Sequence, residues 1–130
     1  MSDTTPKVTG IGGIFFRSED PKALNEWYGK HLGLPVTPYG TIFESRSADN
    51  PEETTQLVWT PFKQSTEYFD PSKKEFMINY RVQHLEQLIA NLREQGVTVV
   101  GDIQSHEYGK FAHIMDLEGN KIELWEPAAE

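Results

Sequence analysis

The stretch Asp20-Pro21-Lys22-Ala23-Leu24-Asn25-Glu26-Trp27-Tyr28-Gly29-Lys30-His31-Leu32-Gly33 decides the fold. It is a helix with both ends written in, and its plan returns once further along. Asp20 suits an N-cap, and Pro21 suits the first helical position, where a missing N–H costs nothing. Leu24, Trp27, Tyr28 and His31 or Leu32 recur at three and four, so one face is apolar. Gly33 follows at the position where a chain leaves a helix with positive φ. The spacing predicts a helix over 21–32, with Trp27 and Tyr28 in the core and His31 set against the C-terminal end of the dipole.

Upstream, residues 1–7 are polar with Pro6 among them and read as a loose leader, without the basic and apolar regions of a secretory signal. Residues 8–17 are β-branched and aromatic with glycines inserted, which predicts a strand. Downstream, turn residues separate strands at 34–39, 41–46 and 56–60. A long segment, 62–75, then carries Pro71 and the aromatics Phe62, Tyr68 and Phe69. Loops of this length in a compact domain usually cover something; Tyr68 and Phe69 read as a lid, a dimer contact or plain packing.

The plan then restarts. A strand at 76–82 leads to His84, which stands where Asp20 stood, 64 residues earlier. Leu85, Leu88, Ile89 and Leu92 form a second apolar stripe. Gly96 closes it, 63 residues after Gly33. Strand-forming pieces follow at 97–100, 103–106, 111–115 and 121–126. The chain is therefore one strand–helix–three-strand unit used twice. Each copy is too small to bury a good core alone, so both should share one domain, 1–130, made of module 8–61 and module 76–127 joined by loop 62–75.

Composition narrows the functional classes. The chain has 130 residues, no cysteine and a formal charge of −8. Thiolate nucleophiles, disulfides and cysteine-ligated metals are excluded. An acidic surface is a poor partner for nucleic acid or anionic lipid, and no apolar run reaches the ~18–20 residues of a membrane span. There is no phosphate loop before a helix and no nucleophile elbow. A cytoplasmic protein that handles a small molecule is the expectation.

If each helix covers one face of its antiparallel sheet, the other faces can curl around a cup. Strand alternation says what lines it. Gly13, Phe15 and Arg17 share one face of the first strand; Met77, Asn79 and Arg81 share one face of the fifth; Glu123 and Trp125 share one face of the last. Arg17 and Arg81 occupy equivalent places in the two modules, either as a clamp for a carboxylate or phosphate or as solvated strand ends.

The paired βαβββ plan and the Asp-Pro-x-x-x-x-x-Trp-Tyr opening carry a resemblance. So does the run Asp116-Leu117-Glu118-Gly119-Asn120-Lys121-Ile122-Glu123-Leu124-Trp125-Glu126-Pro127. Over residues 8–127 the chain resembles the vicinal-oxygen-chelate superfamily of glyoxalase, bleomycin-resistance and extradiol-dioxygenase proteins. The resemblance implies an α+β fold of two βαβββ modules, with curved antiparallel sheets around a cup, and a frequent homodimer. It also implies four ligand positions for a divalent ion that polarises the substrate's oxygens. Carried over position by position, these fall on Gly13, Gln56, Met77 and Glu123. Glycine offers no atom and a thioether is a soft ligand, so only Glu123 matches.

Glu123 has four readings: a buried acceptor paired with Arg17 or Arg81, a catalytic base, a metal ligand helped by His106, His113 or water, or an outward-facing residue. The expected ligand-binding set is Phe15, Arg17, Gln56, Met77, Asn79, Arg81, His113 and Trp125, with Glu123 as the catalytic group. No metal ligand is assigned except Glu123, and that only if a metal binds. His113 shares the Glu123 side in one of two hairpin registers, and His84 belongs to a helix start. Three functions follow. The first is a metal-free protein that binds or transforms a small planar or anionic metabolite in an aromatic cup. The second is a divalent-metal-dependent glyoxalase-like lyase or isomerase using Glu123 and non-standard ligands. The third is a purely structural or regulatory dimer.

Overall fold

The computed structural model describes residues 3–128; residues 1 and 2 of the leader lie outside that range. The elements run β1 (Lys7–Ser18), α1 (Pro21–Leu32), β2 (Thr41–Arg46), β3 (Thr54–Lys63), β4 (Phe76–Gln83), α2 (Leu85–Glu94), β5 (Val99–His106), β6 (Gly109–Met115) and β7 (Lys121–Pro127). The α+β class and the two-module plan hold. The sheets are not two separate antiparallel layers, however. β1 and β4 pair antiparallel and join the halves into one seven-stranded curved sheet of order β2-β3-β1-β4-β7-β6-β5. Within it β1·β3 and β4·β7 are parallel. Each half therefore places its first strand beside its last, and the two first strands meet at the centre.

Both helix starts repay inspection. Asp20 accepts a hydrogen bond from the backbone N–H of Ala23 at 3.1 Å, and Gly33 leaves α1 at φ 70°. His84 holds the equivalent place before α2, but at φ 55° and without a side-chain cap. The first N–H is met instead by Glu126, whose Oε1 accepts from Leu85 at 3.0 Å. α2 buries Leu85 and Ile89 against Val82, Ala112, Ile114 and Leu124, the main core. On α1, Tyr28 is half-buried with its ring edge-on to Trp59, while Trp27 is 51% exposed with its ring against Tyr28 and His31. Trp27 is thus a surface residue rather than a core one.

Three strand expectations are corrected. The strand predicted at 34–39 is absent, apart from an isolated Thr37–Gly40 bridge. Pro35 and Pro38 remove two N–H donors from six residues, so no ladder can form. The strand predicted at 56–60 continues through Pro61 to Lys63. It can do so because its antiparallel partner leaves the register at Trp59, so one side of Pro61 has no ladder to feed. The pieces predicted at 97–100 and 103–106 are one strand, β5, broken in register around Gly101 at φ 76°. No helix among the described residues is long and apolar enough to cross a membrane.

Candidate functional site

Strand register builds the site. Asn79 on β4 stands opposite Glu123 on β7, which stands opposite His113 on β6. The three form one row across adjacent strands on the face away from the helices. Each is buried, Glu123 to 3% exposure. Asn79 Nδ2 donates to Glu123 Oε1 at 2.6 Å, and His113 Nε2 lies 2.9 Å from Oε2. The Tyr68 hydroxyl, from the segment between β3 and β4, donates to the same Oε2. The register therefore puts His113 on the Glu123 side. The partner expected for Glu123, an arginine, is replaced by this row.

Arg17 and Arg81 face the same way but cannot act together. Arg81 pairs with Gly10 across β1, so seven positions of that strand separate it from Arg17. At ~3.3 Å per residue this is over 20 Å. Arg17 donates to the carbonyls of Gln64 and Thr66, both at 2.8 Å, and lies over the Phe69 ring. Arg81 donates to the carbonyls of Gln56, at 3.0 Å, and Ile11. Each guanidinium is tied to backbone through Nη1 and the two stand far apart on the sheet, so they do not form a two-arginine clamp. The Gln56 side chain is exposed and stays apart from the row.

Burial is the largest single influence on Glu123 and pushes its carboxyl up. The hydrogen bonds from His113, Tyr68 and Asn79 together outweigh it, so the carboxyl is held below its ordinary range. Burial, then the Glu123 charge, drives the Tyr68 hydroxyl well above the usual phenol range, which keeps it a donor. Burial lowers Lys121, whose Nζ donates to the Tyr68 carbonyl at 2.7 Å and lies 5.2 Å from the Tyr68 ring centre. Because the folded carboxyl of Glu123 is depressed, its contribution to stability is present above the unfolded glutamate value and fades as pH falls through the folded one. The stability gap between wild type and Glu123→Gln should therefore shrink below about pH 4.3. Chemical denaturation at pH 7 and pH 3 checks this; a constant gap contradicts it.

Glycines on β1 let side chains fill the cup floor. A Cβ on Gly10 would lie 2.4 Å from Arg81 Nη2. One on Gly12 would lie 2.5 Å from Asn79 Oδ1 and 2.9 Å from Trp125 Cε3. One on Gly13 would lie 2.9 Å from the Phe15 ring. Asn79 Oδ1 has no donor among the described residues. Gly12→Ala should displace Asn79 and cost about 1–3 kcal/mol, read by urea unfolding; a neutral result would show that Asn79 has slack.

The same geometry tests the divalent ion that the family implies. Position 13 has no room for an imidazole beside Phe15. Met77 is fully buried against Phe15 and Phe69, and both oxygens of Glu123 accept hydrogen bonds from side chains. Among the described residues no three His, Asp or Glu side chains gather around a common point. The residues present do not fit a metal ion.

Phe69 is fully buried with Phe15 and Met77, and Val58 and Phe62 pack against them. It is a plug in the core, not a lid. Its neighbour Tyr68 is 42% exposed and stacks on Phe62. On its other side, a hollow of about 460 Å³ is lined by Tyr68, Gln104, His106, Glu107, Tyr108 and Phe111. Phe111 lies parallel to Trp125 at 6.1 Å, so an extended aromatic surface runs from this hollow to the cup floor. A larger groove of about 600 Å³ runs along α1 beside Trp27, on the opposite face of the sheet and away from Glu123. The tie from Tyr68 to Glu123 and the place of Lys121 were not foreseen. Lys121 shares the strand parity of Glu123 and Trp125, which was the available signal; Tyr68, on an aperiodic segment, carried none.

A family model described as a glyoxalase-like domain matches residues 13–125. Among solved structures, the chain is similar to methylmalonyl-CoA epimerase from Mycobacterium tuberculosis, at 26% identity over 99% of this chain and 94% of that one, TM-score 0.62. It is also similar in fold to Streptomyces coelicolor methylmalonyl-CoA epimerase in complex with 2-nitronate-propionyl-CoA, at 17% identity over 95% of this chain and 100% of that one, TM-score 0.70. A third structure, a glyoxalase/bleomycin resistance protein/dioxygenase superfamily member from Vibrio splendidus, is alike in fold at 12% identity over 94% and 99% of the two chains, TM-score 0.57. No curated protein matches the sequence.

Proposed function

The chain belongs to the glyoxalase-like domain family, and from that premise we propose that it binds a small planar molecule beside Glu123 without a metal ion. The observation that carries this reading is a carboxylate 3% exposed, held by three donors, at the edge of an aromatic surface. Sites for small ligands are mostly apolar with a few oriented polar groups. Binding is favoured over proton transfer to Glu123, since three donors make its carboxylate a weak base. A ligand bearing phosphates, such as the CoA ester named with the epimerases, is disfavoured: Arg17 and Arg81 stand seven strand positions apart and cannot close on one phosphate, and Nη1 of each is tied to carbonyls. The metal-dependent lyase is disfavoured by the donor set described above.

In this proposal the whole chain is one cytoplasmic domain, and it pairs as a homodimer that sedimentation at micromolar concentration would detect. The test of the function is a titration of the full chain with planar aromatic compounds, followed by tryptophan emission. Saturable quenching that is lost in Trp125→Phe supports the reading. No saturable response across the panel overturns it, as does a stoichiometric divalent ion in protein purified without chelator.

A further inference from the structure

We propose that the place held by the Tyr68 ring is a seat for a planar phenol, with Tyr68 as its displaceable occupant; this rests on the small-molecule reading above. The ring makes the contacts that a free phenol would want. Phe62 stacks on it at 5.8 Å and 10°, the Lys121 ammonium lies 5.2 Å from its centre, and His113 meets it edge-on at 5.4 Å and 89°. Its hydroxyl donates to Glu123. Stacking, a cation over the ring face and a charged acceptor for the hydroxyl are three separate recognition elements.

The occupant is poised to leave. Tyr68 is 42% exposed even though its hydroxyl reaches a carboxylate that is 3% exposed. The segment itself is anchored by Phe69 at 0% and Ser72 at 3% exposure, so the ring can swing about its own side-chain bonds while the backbone stays docked. Tyr68 also lines the hollow that ends at Phe111 and Tyr108, so seat and hollow are continuous. A phenol whose hydroxyl replaced that of Tyr68 would turn its para carbon toward the docked residue 68 backbone, so the seat takes a ring without a para substituent and leaves the hollow to groups on its meta edge. The charge of Glu123 selects the class. An anionic oxygen would be repelled, whereas a neutral hydroxyl donates as the tyrosine does. This narrows the expected ligand from planar or anionic to planar and neutral, with a hydroxyl donor.

The test uses the full chain and three probes followed by NMR: phenol, anisole, which lacks the donor, and naphthalene. Phenol should bind wild type weakly and shift the Tyr68 ring signals. It should bind Tyr68→Phe at least threefold tighter and Tyr68→Gly, which clears Cβ, at least tenfold tighter. Anisole should show no such gain, and adding Glu123→Gln to Tyr68→Gly should shrink it, because a neutral amide oxygen replaces the charged acceptor. Equal binding of phenol and anisole to Tyr68→Gly overturns the seat, as does phenol binding to wild type that leaves Tyr68 unmoved. If Tyr68→Gly does not fold, Tyr68→Phe decides: no tightening overturns the proposal. Naphthalene shifting Phe111 and Trp125 while phenol is ignored overturns the phenol seat and leaves the small-molecule reading standing. Silence from all three overturns both.

Discussion

Replacing Glu123 with alanine should lower stability by about 3–5 kcal/mol, because it leaves buried hydrogen-bonding groups without their acceptor, each costing about 1–3 kcal/mol. The carboxylate is the only acceptor recorded for the side-chain donors of Asn79 and Tyr68, and for Nε2 of His113. Truncation strands Asn79 and His113, both buried, and frees the Tyr68 hydroxyl beside the hollow. For a domain of this length, thermal unfolding should move down on the order of 10–20 °C. Glu123→Gln is milder, about 1–3 kcal/mol, since one oxygen still accepts while the new amide turns its own hydrogens toward a donor. An intact fold in Glu123→Gln is what a purely catalytic role would give. The row of three donors makes a measurable loss the expected result. Equilibrium unfolding of both variants checks the order; an alanine variant within 1 kcal/mol of wild type would mean the row is not a structural unit.

Phe69→Ala should cost about 3–5 kcal/mol, the usual loss for a fully buried phenylalanine. Its ring lies 5.2 Å from that of Phe62, under the Arg17 guanidinium at 5.1 Å, and against Phe15 and Met77. The second core cluster has only three buried members, so removing one leaves a cavity that few neighbours can collapse into. The loss should also reach the site. With Phe69 gone, the segment carrying Tyr68 loses its anchor, and amide exchange across 64–75 should rise to the level of local opening rather than global unfolding. Denaturation gives the first quantity and hydrogen exchange the second. Unchanged protection across 64–75 would show that Arg17 and Lys121 hold the segment unaided.

Much of the fold was readable from local signals. The Asp20-Pro21 start and Gly33 stop bound α1 at the residues observed. Strand parity put Phe15, Met77, Asn79 and Glu123 on one face, because a period of two leaves no third choice once the helix side is known. What escaped depends on contacts distant in sequence or on hydrogen-bond bookkeeping. His113 turned on a hairpin register that parity alone does not set. Tyr68 lies 55 residues from Glu123 on a segment without periodicity. The false strand at 34–39 looked apolar enough, yet Pro35 and Pro38 forbid its ladder. Trp27 sits on the apolar stripe of α1, but that stripe extends past the sheet surface available to cover it.

The bed of glycines under the cup constrains how this protein can evolve. An imidazole at position 13 would collide with the Phe15 ring, so a single substitution cannot rebuild a chelating side chain there. Phe15 would have to shrink first, and truncating a buried phenylalanine costs about 3–5 kcal/mol, a large part of a typical domain's total. The two changes should be coupled: the new side chain meets the Phe15 ring, and shortening that ring is what gives it room. The descendants of this sequence are thereby steered toward chemistry that its organic side chains can supply by themselves.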